Sequence, residues 1–258
     1  MDPTPDANAA VPSPAPALPP RRAFRRRLRQ GLLALAAVVL AYVAVAYVAA
    51  PTFWRARRPH PGLEDAPRVT RTGNGISGDP VNLALVGTEE ELLAAFRAAG
   101  WHTADPITPR TAWRMSQACS LGRPYLTAPV SNLYLWDRKQ DHAFQVAEGK
   151  SPRRRHHVRF WRSPELDADG RPLWLGAATF DRSVGIDVHT LQFTHHIDAD
   201  VDAERDRVIA DLGAAGCLID TYRLPWVGEE WRGRNGGYDP FVTDGFLVVG
   251  VLAPPSAE

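Results

Sequence analysis

The chain has 258 residues, a formal net charge of +1, 45% hydrophobic and 23% charged residues. That is enough for one domain with a full core plus appendages, and the charge is too balanced for a disordered polyelectrolyte. Six arginines against two aspartates put +4 on residues 1–50 and leave −3 on residues 51–258. The larger part is therefore mildly acidic, which argues against nucleic acid as a partner.

Residues 1–30 open on a Pro/Ala-rich tail, MDPTPDANAAVPSPAPALPP, with no core-forming period, and close on Arg21, Arg22, Arg25, Arg26, Arg27 and Arg29. Residues 31–50, GLLALAAVVLAYVAVAYVAA, carry no charge. As a helix they span about 30 Å, the depth of bilayer hydrocarbon, so one transmembrane helix with the lipid bilayer as partner is expected. Six arginines before it against Arg55, Arg57 and Arg58 after it place the amino terminus in the cytoplasm and the following domain outside, at the inner membrane of a bacterium. The same six arginines would touch anionic lipid heads. A cleavable signal peptide is the alternative. Its apolar core would be shorter, and Pro51 directly after Ala49-Ala50 opposes cleavage there.

Residues 51–78, rich in Pro and Gly, read as a linker. Within it Gly73–Gly78 matches G-x-G-x-x-G, but a linker precedes it and a strand follows, the reverse of a dinucleotide fingerprint. VNLALVG (81–87) is β-like. Thr88 and Glu91 have capping-box spacing before a helix that ends at Gly100 and buries Leu92, Leu93 and Phe96. A second helix is expected over 111–122. Strands follow at 131–137, 142–147, 155–161, 172–180 and 191–197, then a helix over 198–216 and strands at 217–224 and 244–252. Asp198, Asp200 and Asp202 begin like a calcium loop, but Ala203 and Ile209 stand where Gly and Glu are needed. The expected class is α+β, a mainly antiparallel sheet with a few packed helices, preceded by one N-terminal transmembrane helix. Cys119 and Cys217 could pair in an oxidising compartment, or stay two separate thiols.

The chemistry concentrates in RRRHHVRFW (153–161), with Asp181, Asp187, His189, His195, His196 and Asp198. Strand alternation puts Arg155, His157, Arg159 and Trp161 on one face and His156, Val158 and Phe160 on the other. The second face is expected to meet the core, leaving a basic, aromatic-lined strip on the first. Arginine there could hold a phosphate or carboxylate bidentately. Histidine plus carboxylate equally suits a divalent metal or an acid/base pair. A purely structural role stays open beside both.

Several segments together resemble the LssY carboxy-terminal domain family: DPVNLALVG (79–87), AAGWHTADP (98–106), PVSNLYLWDRKQDHAFQ (129–145), RRRHHVRFW, RPLWLGAATFD (171–181) and THHIDADVDAERD (194–206). The resemblance covers residues 79–252, leaving 253–258 as a tail. It implies a bacterial envelope-associated domain, which in larger relatives follows membrane segments of the lipid-phosphatase or DedA-like kind. The lipid-phosphatase signatures themselves are not found in this chain, so that activity is not expected. The resemblance assigns no reaction. The expected function is a membrane-anchored envelope module for an anionic ligand, free or lipid-linked, with His157, Arg159, Trp161, Asp181, His195 and His196 as candidate ligand-binding residues. The alternative is a metal-dependent hydrolase of phosphoester-type envelope substrates.

Overall fold

The computed structural model describes residues 21–49, 61–186, 193–228 and 230–254. The chain divides into two units, Met1–Arg58 and Pro59–Glu258. In the first, helix α1 (Arg21–Ala44) runs into a π-helical turn, Val45–Ala49. Phe24–Ala49 is long and apolar enough to cross a membrane: its most apolar 18-residue window has a mean hydropathy of 2.6, and none of that window is buried against protein. The uncharged run from Gly31 onward suits lipid rather than water, by length and composition.

The second unit begins inside the stretch expected as linker. α2 (Pro61–Glu64), β1 (Val69–Arg71) and β2 (Ser77–Pro80) occupy residues 61–80. The linker reading is corrected there for a physical reason. Leu63 and Ala66 pack into the core, and buried Thr70 donates its hydroxyl to the Asp79 carbonyl at 2.8 Å. Elements this short are held by tertiary contact and carry no period.

There follow β3 (Leu83–Val86), α3 (Glu89–Ala98), β4 (His102–Thr103), α4 (Pro109–Leu121), β5 (Tyr134–Leu135), β6 (Arg138–Lys139) and β7 (His142–Ala147). Next come β8 (Arg155–Leu166), β9 (Pro172–Ile186), β10 (Phe193–Ile197), α5 (Val201–Ala214), β11 (Leu218–Pro225), β12 (Trp231–Arg234), β13 (Pro240–Thr243) and β14 (Phe246–Leu252). The Thr88–Glu91 capping box forms as spaced, and Gly100 takes φ +78° after α3. The expected strand 131–137 is instead the tight hairpin β5–β6, because Trp136 and Asp137 both adopt positive φ (50° and 57°), a two-residue turn.

The main sheet has the order β11-β14-β3-β9-β8-β7-β4, with β10 paired onto the far end of β9. β14 and β3 run parallel; the other neighbours are antiparallel. A smaller sheet, β2-β1-β5-β6, and the hairpin β12–β13 complete the α+β architecture. Both faces of the main sheet are covered. α3 and α5 pack Leu92, Phe96, Val208 and Leu212 onto Leu83, Leu85, Val158 and Phe160. On the opposite face, Leu63, Leu133, Leu135 and Trp226 close over Ala84, Val86, Trp161 and Leu175. Two-sided burial explains why the central strands read as unbroken apolar runs. It also overturns the exposed basic strip: Arg155, His157, Arg159 and Trp161 are all at most 4% exposed, because the 125–140 segment and the small sheet lie over them.

Asn82 locks these layers. Its amide nitrogen donates to the Ala178 and Val201 carbonyls, each at 2.9 Å, and its oxygen accepts from Ala178 N at 3.0 Å. Asn82→Ala orphans a buried backbone N–H and is expected to lower stability by about 2–3 kcal/mol in urea unfolding. A loss under about 0.5 kcal/mol, the range of a surface change, would refute the lock.

Cys119 and Cys217 are both free thiols, which corrects the disulfide expectation. Cys119 sits on α4 with its sulfur 4.0 Å from that of Met115, whereas Cys217 packs on the cluster beneath α3 and α5.

Candidate functional site

Arg155, His157 and Arg159 of β8 form the floor of a half-open pocket of about 110 Å³. They are joined by Asp181 of β9, His195 of β10 and Asp79 of β2. The strand register causes the convergence: Arg155 stands opposite Asp181 and His157 opposite Thr179. A register shift between His196 and Ile197 then brings Ile197 opposite Asp181. The Asn235–Gly237 turn between β12 and β13 supplies the remaining wall.

Within the cavity, Arg155 Nε donates to Asp181 Oδ2 at 2.8 Å, and its Nη1 donates to the Pro129 carbonyl at 2.9 Å. Arg159 Nε donates to the Ser131 carbonyl at 2.8 Å and its Nη1 to Asp79 Oδ2 at 2.9 Å. Asn235 Nδ2 donates to the other Asp79 oxygen at 3.3 Å. The Nη2 groups of both arginines make no hydrogen bond to any described residue. His157 Nε2 lies 3.0 Å from the Thr179 hydroxyl, and its Nδ1 is buried without a hydrogen bond, 3.6 Å from Asp181 Oδ2. His195 is hydrogen bonded to the Pro152 backbone.

Burial sets the charges. It drives His157 well below its ordinary value and lowers His195 in the same way, so both rings are neutral at pH 7. Burial also works against the Asp181 charge, but His157, His195 and Arg155 outweigh it and hold the carboxyl well below the usual range. Of those three, only Arg155 is still charged at neutral pH. Burial raises Asp79 against the pull of Arg159 and Asn235, and lowers Arg159 against the pull of Asp79.

Four of the six expected ligand-binding residues thus meet: His157, Arg159, Asp181 and His195. Two do not. Trp161 lies deeper in the core, its indole N–H donating to the Arg138 carbonyl at 3.2 Å. His196, on the other side of β10, pairs through Nδ1 with Asp239 at 2.8 Å and packs on Gly185, where an added Cβ would come within 2.3 Å of the ring. Its role is to brace the 235–239 turn. His156 likewise faces α5, bonded to Glu204 at 2.7 Å. Asp187 and His189 lie outside the described residues. Arg155 was legible on the strip through its alternation with His157; Asp79 and Asn235, 156 positions apart, carried no signal.

Among the described residues no group of three or more His, Cys, Asp or Glu side chains is placed to hold a metal ion. A second hollow, of about 460 Å³, lies over β12–β13 beside Arg232, Arg234 and Phe241; it is larger, but it gathers no buried ionisable group. No curated protein and no solved structure matches the chain significantly. The sequence model described as LssY C-terminus matches residues 63–247, which takes in β1 and β2 as well as the cavity residues of β8, β9 and β10. The chain therefore belongs to the LssY C-terminal family.

Proposed function

We propose that this is a membrane-anchored protein of the bacterial envelope whose folded domain binds an anionic group, of phosphate or carboxylate type, in the cavity between β8, β9 and β2. One observation carries the reading. Two buried arginines, fixed by Asp181, Asp79 and backbone carbonyls, line the same pocket, and the Nη2 of each makes no hydrogen bond to a described residue. Donors fixed in place and left over from the bonds to described residues suit a planar anionic acceptor. The arginine bias before α1 supports an extracytoplasmic domain, where such a group could belong to a lipid-linked precursor.

Calorimetric titration of the detergent-solubilised full chain with inorganic phosphate and with glycerol phosphate tests this. Arg159→Lys keeps a cation beside Asp79 but loses the planar fork, and is expected to weaken binding roughly 10- to 100-fold. Equal binding by both proteins would dispose of the proposal.

A metal-dependent hydrolase is the second reading, favoured only by His157, Asp181 and His195 sharing one cavity. Arg155 occupies Asp181 Oδ2, and two guanidinium charges oppose a divalent cation. On the anion reading, EDTA leaves the melting temperature unchanged and purified protein carries no stoichiometric metal. Elemental analysis that finds one metal per chain would reverse the preference.

A further inference from the structure

The exposed face of α4 and the loop after it combine two properties rarely exposed together. Arg110, Trp113, Arg114, Gln117 and Leu121 recur at helical spacing along one solvent-facing side, while Ala118 and Cys119 face inward. Trp113 is 67% exposed and Leu121 60%, with Leu126 and Ile107 close by in sequence and exposed as well. Arg123 adds a third exposed cation, and residues 106–128 contain no Asp or Glu. A soluble surface normally mixes the two signs of charge and buries its tryptophans. A helix with tryptophan and leucine flanked by arginines fits the boundary between acyl chains and headgroups instead.

We infer that α4 and the loop after it dock on an anionic lipid surface, with Trp113, Leu121 and Leu126 entering the interface and Arg110, Arg114 and Arg123 meeting lipid phosphates. Charge complementarity selects this occupant: Arg110, Arg114 and Arg123 outnumber the one carboxylate beside the loop, Asp105, which accepts hydrogen bonds from Tyr125 and Thr127. The chain also carries its own candidate span, Phe24–Ala49. Arg114 lies 4.0 Å over the Tyr125 ring, so the loop and helix present one surface. The chain continues from that surface to the Ala128 and Pro129 carbonyls, which hold Arg155. The docking does not depend on what the cavity binds.

The test uses the full chain with Cys119→Ala and Cys217→Ala, and a nitroxide attached through Gln117→Cys on the exposed side of α4. Reconstitution is into vesicles of phosphatidylcholine alone or mixed in equal parts with phosphatidylglycerol. Docking predicts that in the mixed vesicles the label collides more with oxygen and less with a water-soluble nickel chelate than in detergent. Arg110→Gln with Arg123→Gln leaves the Arg114–Tyr125 contact intact and is expected to lower the docked-to-undocked ratio on the order of thirtyfold, at roughly fivefold per arginine near an anionic surface. A label that stays water-accessible in the mixed vesicles overturns the inference. So does immersion that is equal in phosphatidylcholine alone and indifferent to the arginine changes. Spin–spin broadening at Gln117→Cys would mean that a second copy covers the face, and overturns it too.

Discussion

Arg155→Ala is expected to destabilise the domain by about 3–5 kcal/mol, seen as a lowered urea midpoint of the full chain. The guanidinium is 2% exposed and bonded to Asp181, itself buried. Truncation leaves a carboxylate with its strongest cation gone and strands the Pro129 carbonyl. The pair need not be there for stability. Arg155→Met combined with Asp181→Leu replaces it by apolar volume, and such exchanges are often neutral or stabilising. The double variant should therefore recover most of the loss while no longer binding phosphate. A single Arg155→Ala variant within about 1 kcal/mol of the parent would show that the buried charge is not held as described.

Stability should fall steeply on acidification just below pH 6.5. Burial depresses the folded-state values of His157 and His195, so each binds a proton in the unfolded chain before it can do so in the folded one. Their contribution is full above the unfolded value near 6.5 and is lost as the pH falls from there toward the depressed folded values. The slope reaches up to about 1.4 kcal/mol per pH unit for each histidine. Asp181, also depressed, adds to the loss only below about pH 4. Asp79 and Glu204 act in the opposite sense: burial raises both, so they take up protons first in the folded state and offset part of the decline at lower pH. Urea midpoints measured between about pH 7.5 and 5 check the sign. His157→Gln should remove one histidine's share of the slope. A flat profile across that range would mean that both rings carry their charge when folded.

What the sequence disclosed and what it hid divides along contact range. Local rules worked: the Thr88 cap, the Gly100 stop and the alternation of β8 each depend on neighbours within a few residues. Alternation even grouped Arg155, His157 and Arg159 correctly. It then assigned that face to solvent, because nothing local shows that residues 125–140 return over it. Alternation likewise separates His195 from His196, yet a doublet alone does not say which ring meets Asp181 and which meets Asp239. β1, β2, β12 and β13 escaped for the same reason. Strands of three or four residues, with Gly, Asp, Arg or Pro among their members, are made by their partners.

The Asn235–Asp79 bond, which joins opposite ends of the domain across the cavity mouth, ties occupancy to the finished chain. On the proposed function, capture would begin only after the β12–β13 hairpin has formed, because Asp79 and Asn235 both line the pocket. An anion filling the pocket at a hundred times its dissociation constant would then secure the entire domain against unfolding by about 2.7 kcal/mol, making ligand supply a control on how long the protein survives proteolysis.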